Sequence, residues 1–191
     1  VISYPAIIER CTFVDNSAGA GGGGGLDAYS GEVFLTNSTF VNNSATAGGA
    51  ALDAGAPLTV THCTIDNNTG TAIYANARIL MRNSIVAAST VMNCLDSGAA
   101  GAEIVNGGNN IEDGTSCGWG SSNGSLSNSD PQLENLADNG GATLTCALEA
   151  GSPAIDGVTY NAPNGCPGQD QRGYPRPMVL ACDIAAYEYG Y

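Results

Sequence analysis

The chain contains no lysine. Its cations are Arg10, Arg78, Arg82, Arg172 and Arg176, set against 18 Asp and Glu for a formal net charge of -13. Phosphate recognition needs clustered Lys and Arg, so this balance excludes nucleic acid as a partner and repels anionic membrane surfaces. Histidine is nearly absent too: His62 stands alone, no zinc site can be assembled around it, and it reads as a turn residue. No two cysteines are spaced as CxxC, which argues against zinc ribbons and thioredoxin chemistry. No apolar run is long enough to span a bilayer, so no membrane insertion is expected. No basic-plus-apolar signal segment opens the chain; an exported protein with this start is expected to be a mature form or an excised fragment. The glycine run at residues 21–25 lacks the GK[ST] that a phosphate loop needs, and reads as a turn that permits positive φ and close backbone approach.

What the chain does have is small, polar and repetitive. Glycine reaches 27 of 191 residues, yet 43% of the chain is hydrophobic, which argues against disorder. Short apolar runs alternate with Gly, Asn and Asp, a pattern that favours an all-β architecture. The seven cysteines favour an oxidising, non-cytosolic compartment, and their odd number leaves at least one thiol free or bonded between chains.

Four segments can be overlaid on the landmark Phe13, Phe40, Ile65 and Val86, which recurs after 27, 25 and 21 residues. Ala6, Val33, Leu58 and Ile79 form a second column, and Ile8, Leu35, Val60 and Met81 a third two residues on, the spacing of side chains on one face of a strand. Leu26, Leu52 and Ile73 form a fourth. Three short strands per turn with inward aliphatics describe a parallel β-helix whose coils lie about 4.8 Å apart. A leucine-rich repeat is the rival, but its LxxLxL spacing is absent. Residues 1–93 are expected to be the regular coils, and 94–191 irregular coils closing the C-terminal end of the same solenoid, with a separate small β-domain as the alternative.

Asn16, Asn43 and Asn68 share a column, with Ser89 in the fourth coil, and stacked amides there would hydrogen-bond from coil to coil. The plainer alternative is three ordinary turn asparagines. Cys11 and Cys63 share another column with Ser38 between them; at about 9.6 Å they are too far apart to bridge, so each is reduced, bonded to Cys146 or bonded to another chain. The first segment, around Cys11, carries no visible cap, and unpaired strand edges there would accept another chain head to tail.

The C-terminal text is the most specific. In order come Asn93-Cys94, Gly108-Asn109-Asn110-Ile111, Ser116-Cys117-Gly118, Ser129-Asp130-Pro131-Gln132-Leu133, Leu136-Ala137-Asp138-Asn139-Gly140-Gly141, Gly151-Ser152-Pro153-Ala154-Ile155-Asp156, Asp170-Gln171-Arg172-Gly173-Tyr174-Pro175-Arg176-Pro177 and Cys182-Asp183-Ile184-Ala185-Ala186-Tyr187-Glu188. Over residues 84–191 this resembles the choice-of-anchor Q region of bacterial extracellular β-helix proteins. Upstream, Phe13 to Asn16, Phe40 to Asn43 and Gly48-Gly49-Ala50 resemble the repeats of polymorphic outer-membrane proteins and adhesin-like passenger domains. The resemblance implies a secreted or surface-attached right-handed parallel β-helix, usually without known enzymatic activity. Two departures stand out. Asp183-Ile184-Ala185-Ala186 replaces the family's Asp-Ile-Gly-Ala, and with Tyr191 last the chain is expected to be either processed or held by something other than its own tail.

Within this region Asp170, Arg172, Arg176, Asp183 and Glu188 are expected to form a buried clamp, with Arg172 on Asp183 or Glu188; a catalytic role is the sharper alternative, but no nucleophile or base is implied. Cys166 and Cys182 flank the clamp and are the first candidate disulfide, with Cys94 and Cys117 the second. Asp27 and Asp53 align one coil apart, with Arg78 and Arg82 one coil further on, the raw material of a calcium-assisted polysaccharide lyase. Tyr74 stands where a third aspartate would be, and an acidic surface repels an acidic substrate. Two solvated turn aspartates, or a structural calcium without chemistry, are the plainer readings, and no other cofactor is expected. Thr12, Thr39 and Thr64 line up as an ice-binding face would, but Ile85 ends the rank. Asn37, Asn42, Asn67 and Asn123 open N-x-Ser/Thr sequons. The expected function is a non-enzymatic, secreted or cell-surface structural or adhesin-like protein that associates with copies of itself or with other surface proteins and glycans, building a filament or sheath. The alternative is a calcium-dependent polysaccharide lyase or glycan-binding module.

Overall fold

The computed structural model describes residues 5–19, 21–159, 165–178 and 180–190. Its first coil carries β1 (Ala6–Glu9), β2 (Thr12–Val14), β3 (Ser17–Ala18) and β4 (Leu26–Ala28). The second carries β5 (Val33–Thr36), β6 (Thr39–Val41) and the long β7 (Ser44–Ala54), and the third β8 (Leu58–Thr61), β9 (Thr64–Asp66) and β10 (Thr69–Ala75). The fourth holds β11 (Arg78–Arg82), β12 (Ile85–Ala87) and β13 (Met92–Asp96), and a fifth begins with β14 (Glu103–Asn106) and β15 (Ile111–Glu112). Like strands of successive coils pair in parallel, giving three sheets ordered β1-β5-β8-β11-β14, β2-β6-β9-β12-β15, and β13-β10-β7-β3 with β4 also on β7. This is a parallel β-helix, and the registers Val33↔Leu58, Phe40↔Ile65 and Leu52↔Ile73 are the columns expected from the repeats.

The coil closes because one residue at each of two corners takes the left-handed conformation. Arg10, Asn37, His62, Asn83 and Asn109 do so between the first two sheets, with φ of 47 to 53°; Asp15, Asn42, Asn67 and Ala88 do so between the second and third. Asn and Asp tolerate this backbone better than other residues with a Cβ, which accounts for the asparagines that recur at these bends. Between the corners alternate side chains point inward, and Leu35, Phe40, Leu52, Ile65, Ile73, Ile79 and Met81 are fully buried in a single axial core. Phe13 and Phe40 stack one coil apart, 4.4 Å between ring centroids. At Gly24 the coils touch backbone to backbone: a Cβ there would lie 2.3 Å from the Ala50 carbonyl oxygen and 2.5 Å from that of Ser44.

Parallel pairing runs on past residue 93, through β14 and β15 to a bridge between Ile111 and Leu126. The segment beyond it, expected to close the C-terminal end, instead turns back along the outer face of the second sheet. Thr12 Oγ1 donates to the Leu144 carbonyl (2.6 Å), Thr39 Oγ1 to Gln171 Oε1 (2.6 Å), and the Ala186 N–H to Thr64 Oγ1 (3.3 Å). Arg10 and Asn37 reach Gln169, and the Ala185 N–H reaches the Asn83 carbonyl. The threonine rank is thus the floor under a strap and not an ice-binding face. Ile85, which ends the rank, and Ile111 point outward into a second core with Leu148, Val158, Ile184 and Tyr187. The strap contains an antiparallel pair, β16 (Val158–Thr159) with β17 (Ala181–Cys182), and the Cys166–Cys182 disulfide.

Candidate functional site

Two places concentrate polar chemistry: the buried clamp under the strap and a groove on the outside of the third sheet. In the clamp the expected residues meet, but not with the expected partners. Arg172 pairs with Asp170, two residues away, with Nε and Nη2 each 2.8 Å from Oδ2, and not with Asp183 or Glu188 side chains; Nη2 also donates to the Glu188 carbonyl and Nη1 to that of Asn139. Its guanidinium lies between the rings of Tyr187 (3.7 Å) and Tyr174 (4.6 Å), an arrangement suited to a planar cation. Arg176 faces Glu188 at 3.6 Å, a charge contact and not a hydrogen bond, and donates to the carbonyls of Asp183 and Ala185. Asp183 accepts the N–H groups of Asp156 and Tyr189, and Glu188 those of Met178 and Asp183. Burial pushes both carboxyls upward, against the lowering pull of these N–H bonds and of Arg176. Each of these side chains is held by hydrogen bonds or ion pairs inside the fold, as buried charge requires, although Arg176 Nε itself makes no hydrogen bond.

His62 belongs to this cluster, which its reading as a simple turn residue missed. Its backbone is a bend, but its ring is fully buried, with Nδ1 2.6 Å from Arg176 Nη1 and Nε2 2.9 Å from Asn83 Nδ2. A guanidinium only donates, so Nδ1 accepts and the imidazole is neutral; burial and the Arg176 charge hold it well below its usual range. Cys63, next in sequence, is a rung of a buried ladder. Ser38 Oγ accepts the Cys11 N–H, Ser84 Oγ that of Cys63, Asn110 Oδ1 that of Ser84 and Ser125 Oγ that of Asn110. Cys11, Cys63 and Cys146 are free thiols, and Cys94–Cys117 and Cys166–Cys182 are the two disulfides. At the opposite corner Asn16 Nδ2 donates to Asn43 Oδ1 (2.9 Å) and Asn43 Nδ2 to Asn68 Oδ1 (3.1 Å).

The groove lies where the third sheet turns its outward column to solvent. Asp27 and Asp53 pair in register, with Tyr74 next, so the column reads Asp, Asp, Tyr. Two residues on, the same face presents Tyr29, Gly55 and Asn76; the missing side chain at Gly55 leaves a notch between the other two. Together they enclose about 630 Å³. A glycine underlies each carboxylate. A Cβ on Gly48 would sit 2.2 Å from Asp53 Oδ2, and one on Gly22 would sit 3.0 Å from Asp27 Oδ2; φ there is +84° and +109°. Asp53 is the buried member, accepting the Gly49 N–H (3.2 Å) and Asn76 Nδ2 (3.3 Å). Its carboxyl is nonetheless raised, by desolvation first and by the Asp27 charge. Tyr29 is 84% exposed on the rim.

Arg78 and Arg82, expected near these aspartates, stand on β11 in the first sheet and do not line the groove. Among the described residues no three His, Cys, Asp or Glu stand close enough to share a metal ion. Tyr29 and Asn76 were not among the expected site residues, although their i+2 offset from Asp27 and Tyr74 puts them on the same face. Of the sequons, Asn37 is buried with its amide on the Gln169 carbonyl, whereas Asn42, Asn67 and Asn123 are exposed.

Neither the curated proteins nor the solved structures compared with the chain gave a match. The family described as right handed beta helix region matches residues 3–130, about two thirds of the sequence. Parallel ladders in three sheets, one bend residue at each of two corners and this match agree: the chain belongs to the right-handed β-helix family.

Proposed function

We propose that this β-helix is a non-enzymatic, extracellular or cell-surface scaffold of the adhesin type that holds a saccharide in the groove over Asp27 and Asp53. The carrying observation is the groove itself, a concavity with two tyrosines, two carboxylates and an amide on an outer sheet face. Apolar ring faces with a few convergent polar groups are what sugar rings and their hydroxyls complement. With no arginine at the carboxylates, the groove holds no cationic base for a lyase. Two disulfides and an acidic surface support placement outside the cytosol. The test is a glycan panel read by calorimetry alongside an assay for released sugar. Binding that falls at least tenfold in Tyr29→Ala and Tyr74→Ala, with no product released, supports the reading; turnover of any glycan, or no binding at all, overturns it.

A second reading, self-association, is favoured by the first coil. Among the described residues β1, β2, β3 and β4 are edge strands, and their inward residues Ile8, Phe13 and Leu26 are only partly buried. Edges of this kind take up a further strand, here the coil of a second copy. Sedimentation with and without reductant tests it: a monomer at every concentration rules it out.

A further inference from the structure

We infer that the groove selects a saccharide carrying a protonated amine, with the ammonium seated between Asp27 and Asp53 and the sugar ring against Tyr29 and Tyr74. This rests on reading the groove as a saccharide site, and adds which saccharides it takes.

The two carboxylates occupy neighbouring rungs of a parallel ladder, about 4.8 Å apart. Like charges at that spacing oppose one another, and no cation among the lining residues offsets them. The neighbours of Asp53 are the neutral Gly49 N–H and Asn76 amide, each giving one hydrogen bond to a different oxygen. A carboxylate oxygen has two lone pairs, so both oxygens of Asp53 keep capacity, as does exposed Asp27. An ammonium has three N–H donors and no acceptor, and therefore matches a pair of ionised carboxylates, whose oxygens only accept. Uronate and sulfated sugars place a negative charge against the pair, and the net charge of -13 repels them from a distance as well.

The second, independent observation is aromatic. Tyr29 leaves most of its surface in water on the rim, and Tyr74 follows Asp53 in the column. A ring face attracts both a cation and the C–H face of a sugar. The volume, about 630 Å³, lies in the usual range for a small-ligand site. A bare divalent cation fits less well: calcium takes six to eight oxygens, and Tyr74 holds the register position where a third carboxylate would stand.

The experiment is calorimetry on the full chain with four probes at one moderate salt concentration: a glucosamine oligomer, its fully N-acetylated counterpart, a galacturonate oligomer of equal length and a lysine peptide of equal charge. Calcium chloride alone is titrated as a fifth. The expected result is that the glucosamine oligomer binds at least tenfold tighter than every other probe, and that Asp27→Asn removes this preference, so that the glucosamine and N-acetylated oligomers bind the variant with the same affinity. Asp27 is exposed, so the variant should retain the wild-type melting temperature; Asp53→Asn repeats the test at the buried member. Equal or tighter binding of the N-acetylated or galacturonate oligomer overturns this inference and leaves the saccharide groove standing. Equal binding of the lysine peptide reduces the site to charge alone, and calcium binding that depends on Asp27 makes it a metal site; both overturn the inference. If no sugar binds, the reading of the groove as a saccharide site fails with it.

Discussion

Ala185 holds φ at +105° with its Cβ buried, its N–H on the Asn83 carbonyl and its own carbonyl on Arg176. A side chain in that region of φ costs about 1–3 kcal/mol, which glycine does not incur. Ala185→Gly is therefore expected to stabilise the protein by roughly 1 kcal/mol after the lost methyl burial is offset, read as a higher denaturant midpoint at unchanged slope. This strain was legible in the sequence, because one position departs from an otherwise matching motif. The partner of Arg172 was not. The expectation named Asp183 or Glu188, but Asp170, two residues away, is already aimed by accepting the Arg172 and Tyr174 N–H groups, and that local turn presents its carboxylate to the guanidinium. Cys63 shows a signal seen but misread: it shares a column with Ser38, which pointed to a small polar ladder and not only to a disulfide that could not form.

Each coil is an element whose corners are held by side chains of the next. The Asn43 amide connects both ways, giving Nδ2 to Asn68 and to the Phe13 carbonyl while Oδ1 accepts from Asn16. Asn43→Ala leaves buried backbone and amide groups without partners, at about 1–3 kcal/mol for each unsatisfied group. A fall in melting temperature larger than that of Asn16→Ala, which removes only the outermost rung, is the expected result. The strands and their register were readable because two periodicities coincide: inward side chains every second residue and a coil every 21 to 27. The strap was not, since Gln171 meets Thr12 across a sequence separation of 159, and no local pattern encodes such a contact. The groove was half readable. The aspartate column was plain, but the notch at Gly55 becomes visible only once Tyr29 and Asn76 are placed on either side of it.

At the scale of the whole molecule, burial of charge sets the response to pH. Asp66 is pushed up to about 6 by burial, with Asp113 adding to it. Between its unfolded value near 4 and this folded one, the native state keeps a proton that the unfolded chain has released, so stability from this group falls as pH rises through that window. Asp66→Asn should melt higher than the parent at pH 7.5, and the difference should shrink toward zero as pH falls to 4; a constant difference across the range would assign the effect to packing. His62 acts in the opposite direction: held neutral, it makes the fold lose stability as pH drops below 6.5, where the unfolded histidine takes up a proton and the buried one does not. The parent therefore has two opposed acid responses, which the Asp66→Asn comparison separates.

A stack of coils has no natural length, because each rung pairs with the next on equal terms and one more or one fewer leaves the ladder intact. Over the coils it spans, the strap removes that freedom. It touches the first coil at Arg10 and Thr12, the second at Asn37 and Thr39, the third at His62 and Thr64 and the fourth at Asn83. Delete a coil and every contact beyond the cut is displaced by one rung, about 4.8 Å, more than any of these hydrogen bonds can stretch. The strap is thus a ruler folded from the same chain it measures, and it holds the four coils it spans at one order and one spacing.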